Sequence, residues 1–152
     1  SMLSALANNG GIIMINFGSG FISPQARNWW DRLVSLRKQW HAEFGTTSPE
    51  TLALEAEYRR TNPYPFADLE TVLDHIDFVK ATIGTEHIGI GSDFDGVGNT
   101  LPTKLKDVST YPNLVQGLLD RGYSENEIRG ILGLNFLRVW EQVEQLAPIQ
   151  SN

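Results

Sequence analysis

The chain contains two short apolar runs, separated by longer segments in which apolar and polar residues alternate with helical spacing. The runs occupy residues 11–17 and 87–92, and each is rich in isoleucine and is followed by turn-forming residues. Runs of this length are typical of buried parallel strands. Between them, residues 69–83 place an apolar side chain at every third or fourth position, as in an amphipathic helix. The order strand, helix, strand predicts a right-handed βαβ unit with parallel strands.

Two Ser-Pro pairs, at residues 23–24 and 48–49, are typical helix starts and divide the segment between the strands. We therefore expect a helical insertion at about residues 24–66, lying over the end of a strand. Such an excursion forms either a lid or pocket wall, or a solvent-facing helical hairpin with Trp29 and Trp40 as anchors. The pattern alone leaves both possibilities open.

The last part of the chain is predicted to be helical. Tyr111-Pro112 begins one helix, and a capping box from Ser124 to Glu127 begins the next. Asn135 is expected to cap a final helix with an inward-facing apolar side. The residues on that side are Phe136, Leu137, Val139, Trp140 and Val143.

Only two strands are predicted, against six or seven helices. A parallel pair with both outer edges open is not a complete sheet. Either another chain supplies strands, or the sequence is a piece of a larger α/β protein. Exposed strand edges also favour self-association by exchange of elements, so we expect a homo-oligomer.

Composition narrows the classes of partner. The chain has 152 residues, of which 41% are hydrophobic and 20% charged, so one globular domain with a real core is expected. A formal net charge of −6 without a basic block argues against nucleic acid as a partner. No apolar run is long enough to span a membrane. The absence of cysteine suits cytoplasm and periplasm equally, so the compartment stays open.

The candidate chemistry lies where the second strand ends. Asp93 closes that strand, and Asp95 would point to the same side if the segment were extended. Two carboxylates there can hold a cation, share a proton, or act as base and orienting group. For Asp95, a turn-forming role in Asp93-Phe94-Asp95-Gly96 is an equal alternative. Asn16 ends the first strand, and it should lie beside Asp93 if the strands are neighbours.

Seven segments together resemble the C-terminal part of the membrane dipeptidase family, the renal dipeptidase-like zinc peptidases. In order, they are NGGIIMINF (9–17), FIS (21–23), DHID (74–77), HIGIGSDFDG (87–96), KDVSTYPNL (106–114), RGYS (121–124) and GLNFLRV (133–139). The stretch from Gln25 to Phe66 contains no matching segment. The resemblance implies a TIM-like (β/α)8 metallo-hydrolase barrel, with this chain supplying its last two parallel strands and the closing helices.

The family resemblance also implies a site. Members bind two zinc ions and hydrolyse dipeptides, and none of their metal-ligand positions falls in this sequence, so we expect the chain itself to bind no zinc. Asp93 matches a catalytic aspartate that orients the attacking water or takes its proton. Phe21, where many relatives have Tyr, and Asn16 are the candidate substrate contacts. Asp95 and His75 are expected to support the site or to be structural. His87, at the start of its strand, is expected to be structural.

The resulting hypothesis is a dipeptidase whose isolated 152-residue chain is inactive. Two alternatives remain. Asp93-Phe94-Asp95-Gly96 also resembles the DxDG motif of haloacid dehalogenase-like phosphatases, in which Asp93 would be the nucleophile, Asp95 the acid or base, and Mg²⁺ the cofactor. That family needs later strands carrying a Lys and an acidic pair, which the helical pattern does not predict. The non-enzyme alternative is an oligomerising or lid module.

Overall fold

A computed structural model describes residues 1–146 of the chain. Within them, two strands and eight α-helices follow one another in an α/β arrangement. In chain order the elements are α1 (Met2–Asn8), β1 (Ile13–Asn16), α2 (Ser19–Ile22), α3 (Pro24–Phe44), α4 (Pro49–Thr61), α5 (Leu69–Ile83), β2 (Ile88–Ser92), α6 (Tyr111–Asp120), α7 (Glu125–Arg129) and α8 (Asn135–Leu146). Single 3₁₀ turns precede β2 and α6, and a π-helical turn, Gly130–Leu134, joins α7 to α8.

The two strands pair in parallel, as the pattern predicted. Ile13 lies opposite Ile88, and the register shifts by one residue between Ile15 and Asn16. Ile15 and Ile88 are buried on the face that packs against the helices. The opposite face of the sheet is exposed to solvent: the side chain of Met14 is 39% exposed there, and Asn16 is exposed beside it. Both edges of this two-stranded sheet are unpaired among residues 1–146.

Helix α5 is the centre of the hydrophobic core. Its five buried residues are Leu69, Val72, Leu73, Ile76 and Val79, which confirms the predicted amphipathic stripe. Asp68 caps its N-terminus, where the carboxylate accepts a hydrogen bond from the Thr71 amide at 2.9 Å. Helix α6 packs against α5 with Leu114 and Leu118, both fully buried.

A group of charged side chains joins α5 to the turn after α6; we call it the Arg121 clamp. The Arg121 guanidinium donates to Glu70 at 2.6 Å and to Asp74 at 2.8 Å, and it also contacts Asp77. Tyr123 donates its hydroxyl to the other oxygen of Asp77 at 2.6 Å. These contacts connect residues more than forty positions apart, so the clamp fixes how α6 sits on α5.

Helices α3 and α4 form an antiparallel hairpin within the predicted insertion. Trp29 and Leu33 of α3 are buried, and the Trp29 indole donates to the carbonyl of Asn62 at 2.8 Å. Arg37 and Glu55 form a two-pronged ion pair across the hairpin. Its Ser-Pro starts are confirmed, because Ser23 and Ser48 each cap the helix that follows. Whether this hairpin acts as a lid stays a prediction.

Two expectations for the last helix are wrong. Asn135 is not a cap: its backbone is helical, and its side-chain amide donates to the carbonyls of Thr85 and Ile88 at 2.8 Å each. The apolar side of α8 does not face a core in this chain. Phe136, Leu137, Trp140 and Val143 are 39% to 61% exposed, and Val139 is half-buried. Burial of that side would need a surface that residues 1–146 do not provide.

The segment after β1 is also more ordered than its Gly-Ser-Gly composition indicates. Residues 19–22 form the short helix α2, and Ser19 is fully buried. The Ser19 hydroxyl accepts a hydrogen bond from the Ala67 amide at 3.1 Å, while its own amide donates to the carbonyl of Thr100 at 2.9 Å. These long-range bonds hold the end of β1 against two other loops.

Candidate functional site

The carboxyl ends of the two strands lie side by side. The Phe17 amide, just past β1, donates to the carbonyl of Ser92 at the end of β2 at 3.0 Å. This hydrogen bond confirms that the Asn16 end of β1 is next to the Asp93 end of β2. In parallel α/β folds, binding and catalytic groups collect at this edge.

Asp93 is presented by a tight, strained turn. Ser92 and Asp93 have φ of 57° and 62°, in the left-handed region that residues other than glycine rarely adopt. The Asp93 amide donates to the carbonyl of Gly91 at 2.6 Å, which closes a three-residue turn around Ser92. Two successive left-handed residues cost roughly 1–3 kcal/mol each, and such strain is concentrated at functional sites.

The same turn removes the condition attached to one expectation about the two carboxylates. Asp95 would point to the same side as Asp93 only in an extended segment. The backbone leaves the extended region at Ser92, so that periodicity does not apply. Asp95 is exposed, whereas Asp93 is half-buried.

An aromatic cluster supports the turn from the core side. The ring of Phe94 packs edge-to-face against Phe17, with centroids 5.8 Å apart, and against Tyr111, with centroids 5.6 Å apart. The Tyr111 hydroxyl and the Ser92 hydroxyl form a hydrogen bond. Sequence reasoning interpreted Tyr111 only as part of a helix start. No pattern near Tyr111 indicates its partner, which lies nineteen residues earlier.

The two candidate substrate contacts occupy the same edge. The Asn16 side chain lies over Gly91, where an added Cβ would come within 2.0 Å of the Asn16 Oδ1 atom. The absence of a side chain at Gly91 therefore makes space for the side chain of Asn16. Phe21 is 60% exposed. It lines a groove of about 290 Å³ together with Gly18, Trp30 and Val97.

The histidines are placed differently. His75 is half-buried on α5, and its Nδ1 bonds to the carbonyl of Thr71 on the same helix at 2.9 Å. His75 shares a shallow groove along the open edge of β1 with Asn16 and Phe21, and Asp93 does not line that groove. His87 lies at the amino end of β2, where its Nδ1 bonds to the carbonyl of Gly11 at 2.7 Å.

These side chains do not by themselves fit a zinc site. Within residues 1–146, no group of three or more His, Asp and Glu side chains is arranged to hold a metal ion. Asp93 and Asp95 lack a nearby imidazole, and zinc sites in proteins use three or four ligands.

Within residues 1–146, no helix combines the length and the apolar character needed to cross a bilayer.

Fold and site together define an α/β protein in which a carboxylate is presented at the carboxyl edge of two parallel strands. The model of the membrane dipeptidase family, peptidase family M19, matches residues 1–152. The chain therefore belongs to the membrane dipeptidase family, which confirms the resemblance. The match includes residues 25–66, where no motif was recognised. Membership favours the resemblance of Asp93-Phe94-Asp95-Gly96 to the dipeptidase motif over its resemblance to the phosphatase motif.

Solved structures agree with this assignment. The probable dipeptidase PvdM from Pseudomonas aeruginosa superposes with a TM-score of 0.72 and 28% identity, covering 95% of this chain and 40% of its own. Dipeptidase AC, a metallopeptidase of family M19, superposes with a TM-score of 0.56 over 88% of this chain and 29% of its own. At 22% identity, the second comparison supports the fold alone.

Named relatives are dipeptidases as well. Dipeptidase ataJ of Aspergillus terreus is 54% identical over 136 residues, which cover 90% of this chain and 32% of the relative. Dipeptidase aclJ of Aspergillus oryzae is 38% identical over 136 residues, covering 89% and 31%. Dipeptidase 3 of Mus musculus is 52% identical over 81 residues, covering 53% and 16%. The chain thus spans about a third or less of these relatives.

Proposed function

We propose that this chain is the C-terminal part of a zinc-dependent dipeptidase built as a (β/α)8 barrel, and that it supplies the last two strands. The observation that carries the proposal is Asp93, held in a left-handed turn at the carboxyl end of β2 in a chain of the membrane dipeptidase family. This is the edge at which barrel enzymes place their catalytic groups.

The open surfaces around the sheet support a larger barrel. An apolar groove of about 580 Å³ follows the open edge of β2, between Ile90, Tyr111 and Leu132. A second groove, of about 300 Å³, follows the open edge of β1. In a complete fold, unpaired strand edges with apolar flanks would promote pairing with other chains and aggregation. Neighbouring strands and helices of a barrel would cover both grooves and the exposed side of α8.

In this proposal Asp93 is the general base. Its carboxylate accepts a proton from the water that attacks the peptide carbonyl, and it then returns that proton to the leaving amine. The Asn16 amide can donate to or accept from a substrate at the same edge, while Phe21 offers apolar surface without a hydroxyl. Asp95 and His75 would act by supporting the local structure. Since residues 1–146 do not fit zinc, any zinc would be held outside this set of side chains.

The experiment compares the isolated chain with a chimera. In the chimera, this sequence replaces the matching part of Dipeptidase ataJ, to which it is 54% identical over 136 residues. With zinc and a dipeptide panel, we expect no hydrolysis by the isolated chain and clear hydrolysis by the chimera. The matched control is ataJ without its matching part, which should be inactive. Hydrolysis by the isolated chain, or a folded but inactive chimera, would contradict the proposal.

The non-catalytic alternative also rests on a specific observation. The apolar side of α8 is exposed, with Trp140 53% and Val143 61% accessible. An apolar surface of this kind favours self-association of the isolated chain. Light scattering coupled to size exclusion should show a homo-oligomer, and a strict monomer would count against this part of the proposal.

A further inference from the structure

We infer that Tyr111 and Ser92 are positioning residues for Asp93: their hydroxyl–hydroxyl hydrogen bond holds the turn that presents the carboxylate. The inference rests on the proposed role of Asp93. It goes beyond that role because it assigns a task to two side chains that sequence reasoning had not placed in the site.

The turn around Ser92 needs an external constraint. Ser92 and Asp93 are two of three non-glycine residues with positive φ among residues 1–146, and they are consecutive. Serine has no special tolerance for this conformation, whereas asparagine and aspartate do. Such a backbone persists only where surrounding contacts determine it.

The surrounding contacts come from both strands and from α6. The Ser92 carbonyl accepts from the Phe17 amide at 3.0 Å, which ties the turn to β1. The Ser92 hydroxyl bonds to the Tyr111 hydroxyl at the first residue of α6. Phe94, on the other side of Asp93, is packed between Phe17 and Tyr111. Asp93 is therefore flanked on both sides by residues that contact Tyr111.

The hydroxyl of Tyr111 is the part that packing does not explain. A phenylalanine would make the same edge-to-face contact with Phe94, at a centroid distance of 5.6 Å. Only the hydroxyl reaches Ser92, and the backbone there is strained. Losing the hydroxyl should let the turn relax and move the Asp93 carboxylate. Small displacements of a catalytic group lower the turnover rate while leaving remote binding contacts in place.

The test uses two Tyr→Phe variants that remove one hydroxyl each. Tyr111→Phe removes the bond to Ser92. Tyr123→Phe, the matched control, removes a hydroxyl that donates to Asp77 at 2.6 Å in the Arg121 clamp. In the ataJ chimera, Tyr111→Phe and Ser92→Ala should each lower kcat by about tenfold or more, with KM changed by less than about twofold. Tyr123→Phe should lower thermal stability and leave kcat of the folded enzyme unchanged.

A second readout does not depend on activity. In the 152-residue chain, amide hydrogen exchange at Phe17 and Asp93 should be faster in Tyr111→Phe than in the wild type, and unchanged in Tyr123→Phe. An inactive wild-type chimera would overturn the proposed function, and exchange would still decide whether Tyr111 holds the turn. Unchanged exchange in Tyr111→Phe overturns the inference. An unchanged kcat in an active chimera overturns it too, even if exchange is faster.

Discussion

Replacing Arg121 by Met tests the clamp that joins α5 to the turn after α6. Arg121 is the only cation that contacts Glu70, Asp74 and Asp77 within residues 1–146. Its own side chain is 21% exposed, while the three carboxylates are 43% to 70% exposed. Methionine keeps much of the aliphatic stem but removes the charge and the donors. The three carboxylates would then repel one another without a partner.

The expected loss follows from the exposure of the partners. Exposed ion pairs contribute about 0.2–1 kcal/mol each, so three pairs sharing one largely covered guanidinium should contribute ~1–3 kcal/mol. For a chain of this size, 1 kcal/mol lowers Tm by roughly 2–4 °C, so Arg121→Met should lower it by about 2–12 °C. Arg121→Lys should lose an intermediate amount, because an ammonium cannot reproduce the fork of the guanidinium.

Urea denaturation at low salt and in 1 M NaCl measures the effect. At about 1 M salt the screening length falls to about 3 Å, so the difference between wild type and Arg121→Met should shrink. Arg129→Met is the matched control, because Arg129 is exposed on α7. A variant at Arg121 as stable as the wild type would refute the reasoning. A loss that is the same at both salt concentrations would contradict the explanation by charge attraction.

Two further changes have defined outcomes. The Lys80 ammonium and the hydrogen bonds from Ser124 lower the pKa of Glu127 to about 2. Because the folded pKa lies below the unfolded one, this carboxylate stabilises the fold above about pH 4.5, and that contribution is lost as the pH falls towards 2. Urea midpoints of Glu127→Gln should therefore lie below the wild type at pH 6 and approach it near pH 2.5; a constant gap would contradict this. Asn135→Ala should cost ~1–3 kcal/mol in the same assay, since it removes two part-buried hydrogen bonds to the carbonyls of Thr85 and Ile88. Asn113→Ala, which loses one exposed hydrogen bond at 2.9 Å, should cost clearly less, and equal losses would refute the comparison.

Local signals in the sequence predicted the helices well. Ser23, Ser48 and Ser124 each cap the helix they were expected to begin. These predictions succeed because a cap involves only residues within one turn of each other. The parallel pairing of the strands was also predictable, since a helical connection between two buried runs allows few topologies.

Features that depend on distant residues were missed. Asparagine is a residue type favoured at helix caps, yet the side chain of Asn135 bonds to carbonyls about fifty residues earlier. The left-handed backbone at Ser92 and Asp93 could not be predicted, because neither residue is a glycine. Asp93 is predicted as a site residue from its place at a strand end and from the family resemblance, and its catalytic role stays a prediction. Its support by Tyr111 could not be found, because the pairing exists only once α6 is placed beside β2.

The most direct test of the central claim is to measure bound zinc and dipeptide hydrolysis together in the ataJ chimera carrying Asp93→Asn. The account predicts that the variant binds as much zinc as the unsubstituted chimera and loses at least about a hundredfold in kcat, because the proton acceptor is gone. Asp95→Asn, the neighbouring carboxylate, should keep both zinc and most of the rate. A hydrolysis rate that survives Asp93→Asn, or a loss of zinc that accompanies the lost rate, would contradict the role assigned to Asp93.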